Sequence, residues 1–218
     1  MSWFIQTFRS SLGKKYIMAL TGLLLGGFLL VHTIGNSTIF WGRSAFNAYA
    51  HHLHSLGVLV PIFEICLYTI FFLHVITGCL LWLQNRKARG GKYEMLVNAG
   101  GRTIGSKTMI YTGAAIFVFI LIHLVNFHFP VKTETKTISD FVTQVLNNPF
   151  FTLIYTAGIC LLFIHLSHGF WSLLQTLGIS HVKYDQPLRV IAWALAGIMG
   201  GVFLLITFLM VISRNQLL

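Results

Sequence analysis

Acidic side chains are scarce in this chain, and charge of either sign is low. Only 5 of the 218 residues are Asp or Glu, and charged residues of both signs make up 9% of the sequence. A soluble domain would carry roughly a quarter charged residues, whereas 56% of this chain is hydrophobic. This composition excludes an ordinary soluble domain and indicates an integral membrane protein.

The sequence also lacks the cysteine and glycine patterns of common soluble redox domains. Cys66, Cys79 and Cys160 lie within apolar runs, and their spacing fits neither a disulfide framework nor a metal site. We interpret them as small apolar residues. The glycine pairs of the basic segment 85–106 form no nucleotide-binding fingerprint. The chain therefore carries no flavin-binding fold and no cysteine set for an iron–sulfur cluster.

Five apolar runs have the length of about 20 residues that a membrane-spanning helix needs. They cover approximately residues 16–35, 61–83, 108–129, 150–174 and 190–212. The predicted fold is an all-α membrane protein, with a single transmembrane domain over residues 1–218. The first four spans should form a bundle. The fifth contains no histidine and no acid, so we expect it to pack outside that bundle. The amphipathic start, residues 1–15, shows no cleavage signal, and we interpret it as retained.

The net charge of +10 is distributed as a topology signal and not as a nucleic-acid site. Four basic residues fall on one side of the predicted membrane: Arg43, Lys132, Lys136 and Arg214. Eleven fall on the other: Arg9, Lys14, Lys15, Arg86, Lys87, Arg89, Lys92, Arg102, Lys107, Lys183 and Arg189. The positive-inside rule predicts a cytoplasmic N-terminus and an outside C-terminus. The basic cytoplasmic face could also dock an acidic partner.

Four histidines inside the apolar runs recur at one fixed spacing. His32 and His123 are 91 residues apart, and His74 and His165 are separated by the same distance. The first and second spans therefore match the third and fourth as a diverged repeat. We refer to His74 and His165 as the proximal pair, and to His32 and His123 as the distal pair.

Helix depth predicts the same pairing. His32 and His123 each lie 16 residues inside the expected cytoplasmic ends, or roughly 24 Å at about 1.5 Å per residue. The proximal histidines each precede a glutamine (Gln84 or Gln175) by 10 residues, which corresponds to roughly 15 Å from the same side. The two levels thus differ by about 9 Å, too far for one metal ion to bridge both pairs.

Two facing imidazoles suit a haem better than a bare metal ion. A zinc site would need further ligands, and only Glu64 or the histidines outside the spans could supply them. A haem iron needs just two axial ligands, because its porphyrin supplies the other four. Any one of these histidines could instead be a structural residue bonded to neighbouring carbonyls. Four in register favour a bound group, and we infer two bis-histidine haems stacked across the membrane.

Residues near the proximal pair support this interpretation. Gly78 and Gly169 follow the two histidines by one turn and remove side-chain bulk on the ligand face, although such glycines also serve helix packing. His168 competes with His165 because the two lie on nearly the same helix face. The 91-residue spacing and the following glycine select His165, which leaves His168 as a neighbour of a haem propionate or as an ordinary hydrogen-bonded residue.

Two segments that contain the proximal histidines are FNAYAHHLHSLGVLVPIFEICLYTIFFLHVITG (46–78) and HLSHGFWSLLQTLG (165–178). With them, the sequence resembles the di-haem cytochrome b anchor subunit of succinate dehydrogenases and quinol:fumarate reductases, of the five-helix, single-polypeptide type. The resemblance covers nearly the whole chain, and the four spaced histidines are its specific part. Some fumarate reductases of this type carry a glutamate just before the fourth ligand, where this chain has Phe163 and Ile164. We therefore do not transfer their proton pathway.

The resemblance implies two b-type haems, a cytoplasm-proximal one held by His74 and His165 and a distal one held by His32 and His123. It implies a flavoprotein with FAD and an iron–sulfur subunit on the cytoplasmic face of a bacterial inner membrane. Menaquinone would be the quinone, and a dimer of heterotrimers is allowed. The chain would then take part in succinate oxidation or fumarate reduction without a dicarboxylate site of its own.

A quinone site needs a proton-accepting group connected to water. Glu64 is the only acid within a predicted span, and it lies one turn inside the outer end of the second one. Its alternative role is structural, capped by Arg43 or by amides of the outer segment. Candidates to complete the quinone pocket or to bind the distal propionates are Asn36, Trp41, His51, His52, His54 and Asn126. Candidates for the proximal propionates are Lys15, Arg86, Arg102 and Lys107.

Two other functions share part of this pattern. A di-haem cytochrome b of a membrane hydrogenase or formate dehydrogenase would have the same spans and different soluble partners. A haem or metal transporter would line a path with histidines and would exchange its ligand.

Overall fold

The computed structural model describes residues 3, 6, 7, 10–88, 104–129, 136–179, 181 and 183–213. Within these residues the chain is helical and contains no strand. A short 3₁₀ helix, Thr38–Trp41, follows the first helix. The α-helices with complete bounds are α1 (Ser11–Ser37), α2 (Arg43–His54), α3 (Leu59–Ala88), α4 (Ile104–Phe127), α5 (Ile138–Leu146), α6 (Pro149–Thr176) and α7 (Asp185–Ser213).

Five of these helices, α1, α3, α4, α6 and α7, are long and apolar enough to cross a membrane. Each contains most of one predicted apolar run, and α4 ends two residues before the predicted boundary. The prediction of an all-α membrane protein with five transmembrane helices is therefore confirmed. At 30 residues, α3 is roughly 45 Å long, so its ends extend beyond a hydrocarbon core of about 30 Å.

Side-chain caps explain where two of the spanning helices begin. The Ser10 hydroxyl accepts a hydrogen bond of 3.0 Å from the Gly13 N–H at the start of α1. The Asn148 side chain accepts one of 3.0 Å from the Phe150 N–H at the start of α6, where Pro149 holds the first helical position. Both arrangements satisfy backbone donors that the first turn of a helix leaves unpaired.

The spanning helices pack as two units that follow the sequence repeat. Helix α3 packs mainly along α1, and α4 packs along α6. Helix α7 packs against α6 and α1, beside the four histidine-bearing helices. It also brings Phe203, Ile206 and Thr207 to the wall of the central cavity, although the predicted fifth span contains no histidine and no acid.

The short helices α2 and α5 form a layer over one end of the bundle, which we call the outer cap after the predicted topology. Its apolar residues Phe46, Val142 and Leu146 are buried together with Tyr155 of α6 and Met210 of α7. The cap is therefore continuous with the core of the bundle.

The start of α5 differs from the prediction. The sequence predicts a helix at 140–146 with Ser139 as N-cap, but α5 begins at Ile138 and its N-cap is Thr137. The Thr137 N–H donates a 2.7 Å hydrogen bond to the Asp140 carboxylate. Ser139 is fully buried. Its N–H donates to the Asn47 side-chain oxygen at 3.1 Å, and its hydroxyl accepts from the Asn47 amide at 3.0 Å. Ser139 thus ties α5 to α2.

A surface ion pair adds to this tie. Arg43 of α2 lies 3.0 Å from the carboxylate of Asp140. The pKa of Asp140 lies below its ordinary value, mainly because the Thr137 hydroxyl and backbone N–H donate hydrogen bonds to it. Its stabilising contribution is therefore present above the ordinary pKa of Asp, and it is lost as the pH falls through the lowered pKa.

Replacing Asn47 by Ala should destabilise the outer cap. The change removes both hydrogen bonds to buried Ser139, which costs about 1–3 kcal/mol when the partner is left unsatisfied. The free energy of unfolding of the detergent-purified protein measures this loss. His52→Ala, at an exposed position of the same helix, is the control. Equal free energies of unfolding for the two variants would contradict a stabilising role for the hydrogen bonds between Asn47 and Ser139.

Candidate functional site

A large cavity lies among α1, α3, α4 and α6. Its volume is about 2750 Å³, several times the roughly 300–1,000 Å³ of an ordinary small-molecule site. Most of the lining residues are apolar, and the four predicted histidines are among them. Such a space suits bulky apolar groups that need few polar contacts.

The structure brings the histidines together in the two pairs that helix depth predicts. In the proximal pair, the ring centroids of His74 on α3 and His165 on α6 lie 6.5 Å apart. In the distal pair, those of His32 on α1 and His123 on α4 lie 5.9 Å apart. Each pair therefore joins one histidine from each unit of the repeat.

These separations fit a single metal ion bound between the two rings. With metal–nitrogen bonds of about 2.0 Å, imidazole centroids on opposite sides of one ion lie roughly 6 Å apart. Among the described residues, no group of three or more His, Cys, Asp or Glu could hold a metal ion. Two imidazoles are the number of protein ligands that a haem iron needs, because its porphyrin supplies the other four.

Each proximal histidine contacts a threonine that the sequence interpretation missed. Thr21 Oγ1 lies 3.0 Å from His74 Nδ1, and Thr112 Oγ1 lies 3.1 Å from His165 Nδ1. In both cases the partners are 53 residues apart in sequence. Thr21 and Thr112 are themselves separated by the same 91 residues as the histidines. The repeat thus contained a signal for both threonines.

The glycine that follows each threonine makes room for the histidine ring. A Cβ at Gly22 would lie 3.3 Å from His74 Cε1, and one at Gly113 would lie 3.4 Å from His165 Cε1. At Gly22 the ring would have to give by a few tenths of an ångström, and at Gly113 the added carbon would lie at the edge of ordinary contact. Both glycines therefore leave room for the rings where they lie, in addition to any role in helix packing.

The two glycines one turn after the proximal histidines have different surroundings. A Cβ at Gly78 would lie 2.9 Å from the terminal methyl of Met18, so this glycine accommodates a side chain of α1. At Gly169 an added Cβ would meet nothing within 4 Å, and the residue lines the cavity. Gly169 therefore leaves open space beside His165, as a macrocycle bound there would require.

Replacing Gly169 by Leu should block the proximal site without harming the fold. The side chain would enter open cavity space, so we expect normal folding and loss of one of the two proposed haems. Haem content per chain and the unfolding midpoint of the purified protein measure the two effects. Gly201→Leu is the matched control, since Gly201 also faces open space but lies on α7 outside the cavity wall. Full haem content in Gly169→Leu would contradict this use of the space.

Aromatic rings surround the distal pair. The Phe28 ring stacks on His32 at 5.4 Å. His123 lies 5.2 Å from the Phe127 ring and 6.1 Å from that of Tyr155, centroid to centroid. The ring contacts of the distal pair are thus mainly aromatic, in contrast to the threonine contacts of the proximal pair.

Two asparagines predicted for the distal region have different places. The Asn36 amide donates a 2.8 Å hydrogen bond to the backbone oxygen of His32 and lines the cavity. Asn126 donates to the Tyr155 hydroxyl at 3.2 Å. Since Tyr155 lines the cavity and Asn126 does not, Asn126 contacts the site only through that tyrosine.

Glu64 lines the cavity and has a partner that the sequence interpretation did not name. His128 Nδ1, at the end of α4, lies 3.6 Å from a Glu64 oxygen. This distance is long for a direct hydrogen bond and within reach of an ion pair when His128 is protonated. The Tyr68 ring lies 6.2 Å from the ring of His128. Arg43, the alternative partner considered for Glu64, binds Asp140 instead.

The remaining outer candidates separate into two groups. His54 lines the cavity, and its Nδ1 lies 2.7 Å from the Ala50 carbonyl. The side chains of His51 and His52 are exposed, and Trp41 is 74% exposed. As far as the structure describes the cavity, these last three do not line it.

The end of the cavity that lies away from the outer cap is basic. Lys15 and Lys107 line it, together with Asn85 and Ser106. The Arg86 guanidinium lies over the Trp82 ring at 5.3 Å and does not line the described cavity. Arg102 is outside the described residues.

His168 also lines the cavity, but it is not the histidine that faces His74, since that ring contact belongs to His165. A Cβ at Gly105 of α4 would lie 2.6 Å from His168 Cβ. His168 therefore marks a close crossing of α4 and α6 beside the proximal pair.

Comparison with known proteins adds one relationship. No family model and no solved structure matches the chain. The chain is 23% identical over 173 residues to the succinate dehydrogenase cytochrome b558 subunit of Bacillus subtilis (strain 168). The match covers 79% of this chain and 83% of that protein. The chain is thus a multi-pass helical membrane protein that is similar, along most of its length, to a succinate dehydrogenase cytochrome b subunit.

Proposed function

We propose that this chain is the di-haem cytochrome b anchor of a succinate dehydrogenase or quinol:fumarate reductase in a bacterial cytoplasmic membrane. The observation that carries the proposal is that two pairs of histidine rings lie close together in one cavity, and that the two partners of each pair are 91 residues apart in sequence. The similarity to a cytochrome b558 subunit supports it. The chain would carry electrons between soluble subunits on the cytoplasmic face and menaquinone in the membrane.

The histidines would hold one haem at each level, His74 with His165 and His32 with His123. Each haem, when bound, supplies an iron that exchanges one electron at a time. The chain fixes the orientation of each group through the two rings, and its apolar walls exclude water. Because the two pairs share one cavity, they define a path along the bundle axis.

The basic mouth of the cavity would serve the cytoplasmic side. Lys15 and Lys107 line that mouth, where they could neutralise carboxylates of the bound group. The same face would dock the flavoprotein and iron–sulfur subunits, since a positive surface favours an acidic partner.

At the outer end, Glu64 would exchange the protons of the quinone reaction. Reduction of a quinone to a quinol consumes two electrons and two protons, and the reverse reaction releases them. Glu64 lines the cavity within a transmembrane helix, and His128 lies 3.6 Å away. We propose that Glu64 holds or releases the proton at its carboxylate and that His128 connects it toward the outer surface.

A redox-titrated visible spectrum of the purified complex, with haem quantified per chain, tests the proposal. We expect two low-spin haems, copurified flavin and succinate-linked reduction of a menaquinone analogue. Two haems with hydrogenase or formate dehydrogenase activity, and without flavin, would assign the chain to a different complex. Readily exchanged haem or metal without a stable low-spin spectrum would indicate a transporter.

A further inference from the structure

We infer that Thr21 and Thr112 are positioning residues that hold His74 and His165 in the tautomer whose Nε2 is free to bind iron. The inference rests on the proposed function, because it concerns how the chain prepares the ligands of one haem. Each threonine contacts Nδ1 of its histidine, at 3.0 Å for Thr21 and 3.1 Å for Thr112.

The backbone around each threonine decides the direction of this hydrogen bond. Thr21 Oγ1 lies 2.8 Å from the Ile17 carbonyl oxygen, and Thr112 Oγ1 lies 3.1 Å from that of Thr108. A hydroxyl has a single proton. If it pointed at the ring nitrogen, the threonine and carbonyl oxygens would face each other at hydrogen-bond distance without a proton between them. The hydroxyl therefore donates to the carbonyl and accepts from the ring, so Nδ1 carries the proton.

A proton on Nδ1 leaves the Nε2 lone pair of a neutral imidazole available. The resulting relay runs from ring N–H to hydroxyl to backbone carbonyl, and it occurs once in each unit of the repeat. Such a partner fixes the ring orientation and makes the ring a more basic ligand. The glycine after each threonine allows the ring to approach closely enough for this bond.

The distal pair lacks this arrangement among the described residues. The contacts of its rings are mainly aromatic, with Phe28 at His32 and with Phe127 and Tyr155 at His123. The Asn36 amide nitrogen lies 3.4 Å from both ring nitrogens of His32 and can only donate. Changes at the threonines should therefore alter one haem and spare the other.

The test uses Thr21→Val and Thr112→Val in the whole complex, with Thr21→Ser and Thr112→Ser as the conservative pair. Valine keeps the shape and removes the hydroxyl, whereas serine keeps the hydroxyl. The readouts are haem content and the midpoint potential of each haem. Thr156→Val is the matched control, because the Thr156 hydroxyl donates a similar bond of 2.8 Å to the Thr152 carbonyl on α6 but lies outside the cavity wall.

We expect each Val variant to raise the midpoint potential of the haem that His74→Ala removes. A less basic ring stabilises ferric iron less relative to ferrous iron. A tenfold fall in the ratio of its affinities for the two states raises the midpoint potential by about 59 mV for one electron. Loss of that same haem alone would also support the inference. The Ser variants and Thr156→Val should match the wild type, and the unchanged distal haem reports intact folding in every sample.

Wild-type potentials for both haems in Thr21→Val and Thr112→Val would overturn the inference, as would equal shifts in the Ser and Val variants. Either result leaves the proposed function intact, since the protein would still contain two haems. Failure of the proposed function is seen separately, as a wild-type complex without haem. If one Val variant does not fold, the other decides, because the two threonines lie on different helices.

Discussion

Replacing His74 or His165 by Ala is expected to remove one haem from the complex and to leave the other in place. Each change deletes one of the two proposed protein ligands at that level, and a single remaining ring would not hold a low-spin haem iron. His32→Ala and His123→Ala should remove the second haem in the same manner. Haem per chain and separate redox titration of the two centres measure these losses, from two haems to one in every variant.

Matched variants make this prediction specific. His168→Ala changes a cavity-lining histidine three residues from His165, and His51→Ala changes an exposed one. Both should keep two haems. If His74→Ala and His165→Ala removed different haems, the pairing seen in the structure would be wrong. A double variant of one pair should lose no more haem than either single variant.

Replacing Glu64 by Gln is expected to slow reaction with quinone by about 10² or more while both haems remain. This is the usual contribution of a positioned proton-transfer group, and the amide cannot take up the proton. Quinone-linked turnover, compared with turnover of the soluble subunits with an artificial electron acceptor, measures the effect. Only the first rate should fall.

Two further variants locate the proton path. His128→Gln should reduce quinone-linked turnover less than Glu64→Gln does. His128 lies 3.6 Å from Glu64 and would exchange protons with that carboxylate and not with the quinone itself. Asp140→Asn is the control, since that carboxylate is paired with Arg43 on the outer cap. Wild-type turnover in Glu64→Gln would remove Glu64 from the mechanism, and loss of haem would reveal a structural role instead.

The spans and the histidine pairs could be predicted because they depend on local pattern. A run of about 20 apolar residues specifies a spanning helix with little help from its neighbours. The 91-residue spacing needs no knowledge of helix ends. Depth along a helix follows from a fixed rise per residue, so the correct rings could be paired before any contact was known.

The threonine partners were missed for a physical reason. A threonine in a membrane helix commonly bonds to its own backbone, and Thr21 and Thr112 do so. Nothing in their local sequence shows that each hydroxyl also contacts a histidine ring on the next spanning helix. Only comparison of the two halves of the repeat would have found them, through the Thr-Gly dipeptides at 21–22 and 112–113.

Contacts between distant segments were harder still. Thr137 and Ser139 are both suitable N-caps, and the choice between them is made by Asn47, 92 residues from Ser139 in sequence. The proximity of His128 to Glu64 depends on how α3 and α4 face each other across the cavity. Trp41 fitted the composition of a quinone pocket but lies outside the cavity wall.

The way the two units share each ligand set has a consequence for assembly. Each threonine–histidine bond lies within one unit, between α1 and α3 or between α4 and α6, whereas each histidine pair joins the two units. Each unit therefore contributes one histidine to each pair, and its proximal histidine already contacts a threonine of the same unit. Binding of the two proposed haems would join the two units. The same geometry would arise if two copies of an ancestral two-helix protein met around a twofold axis, with gene fusion later joining them into one polypeptide.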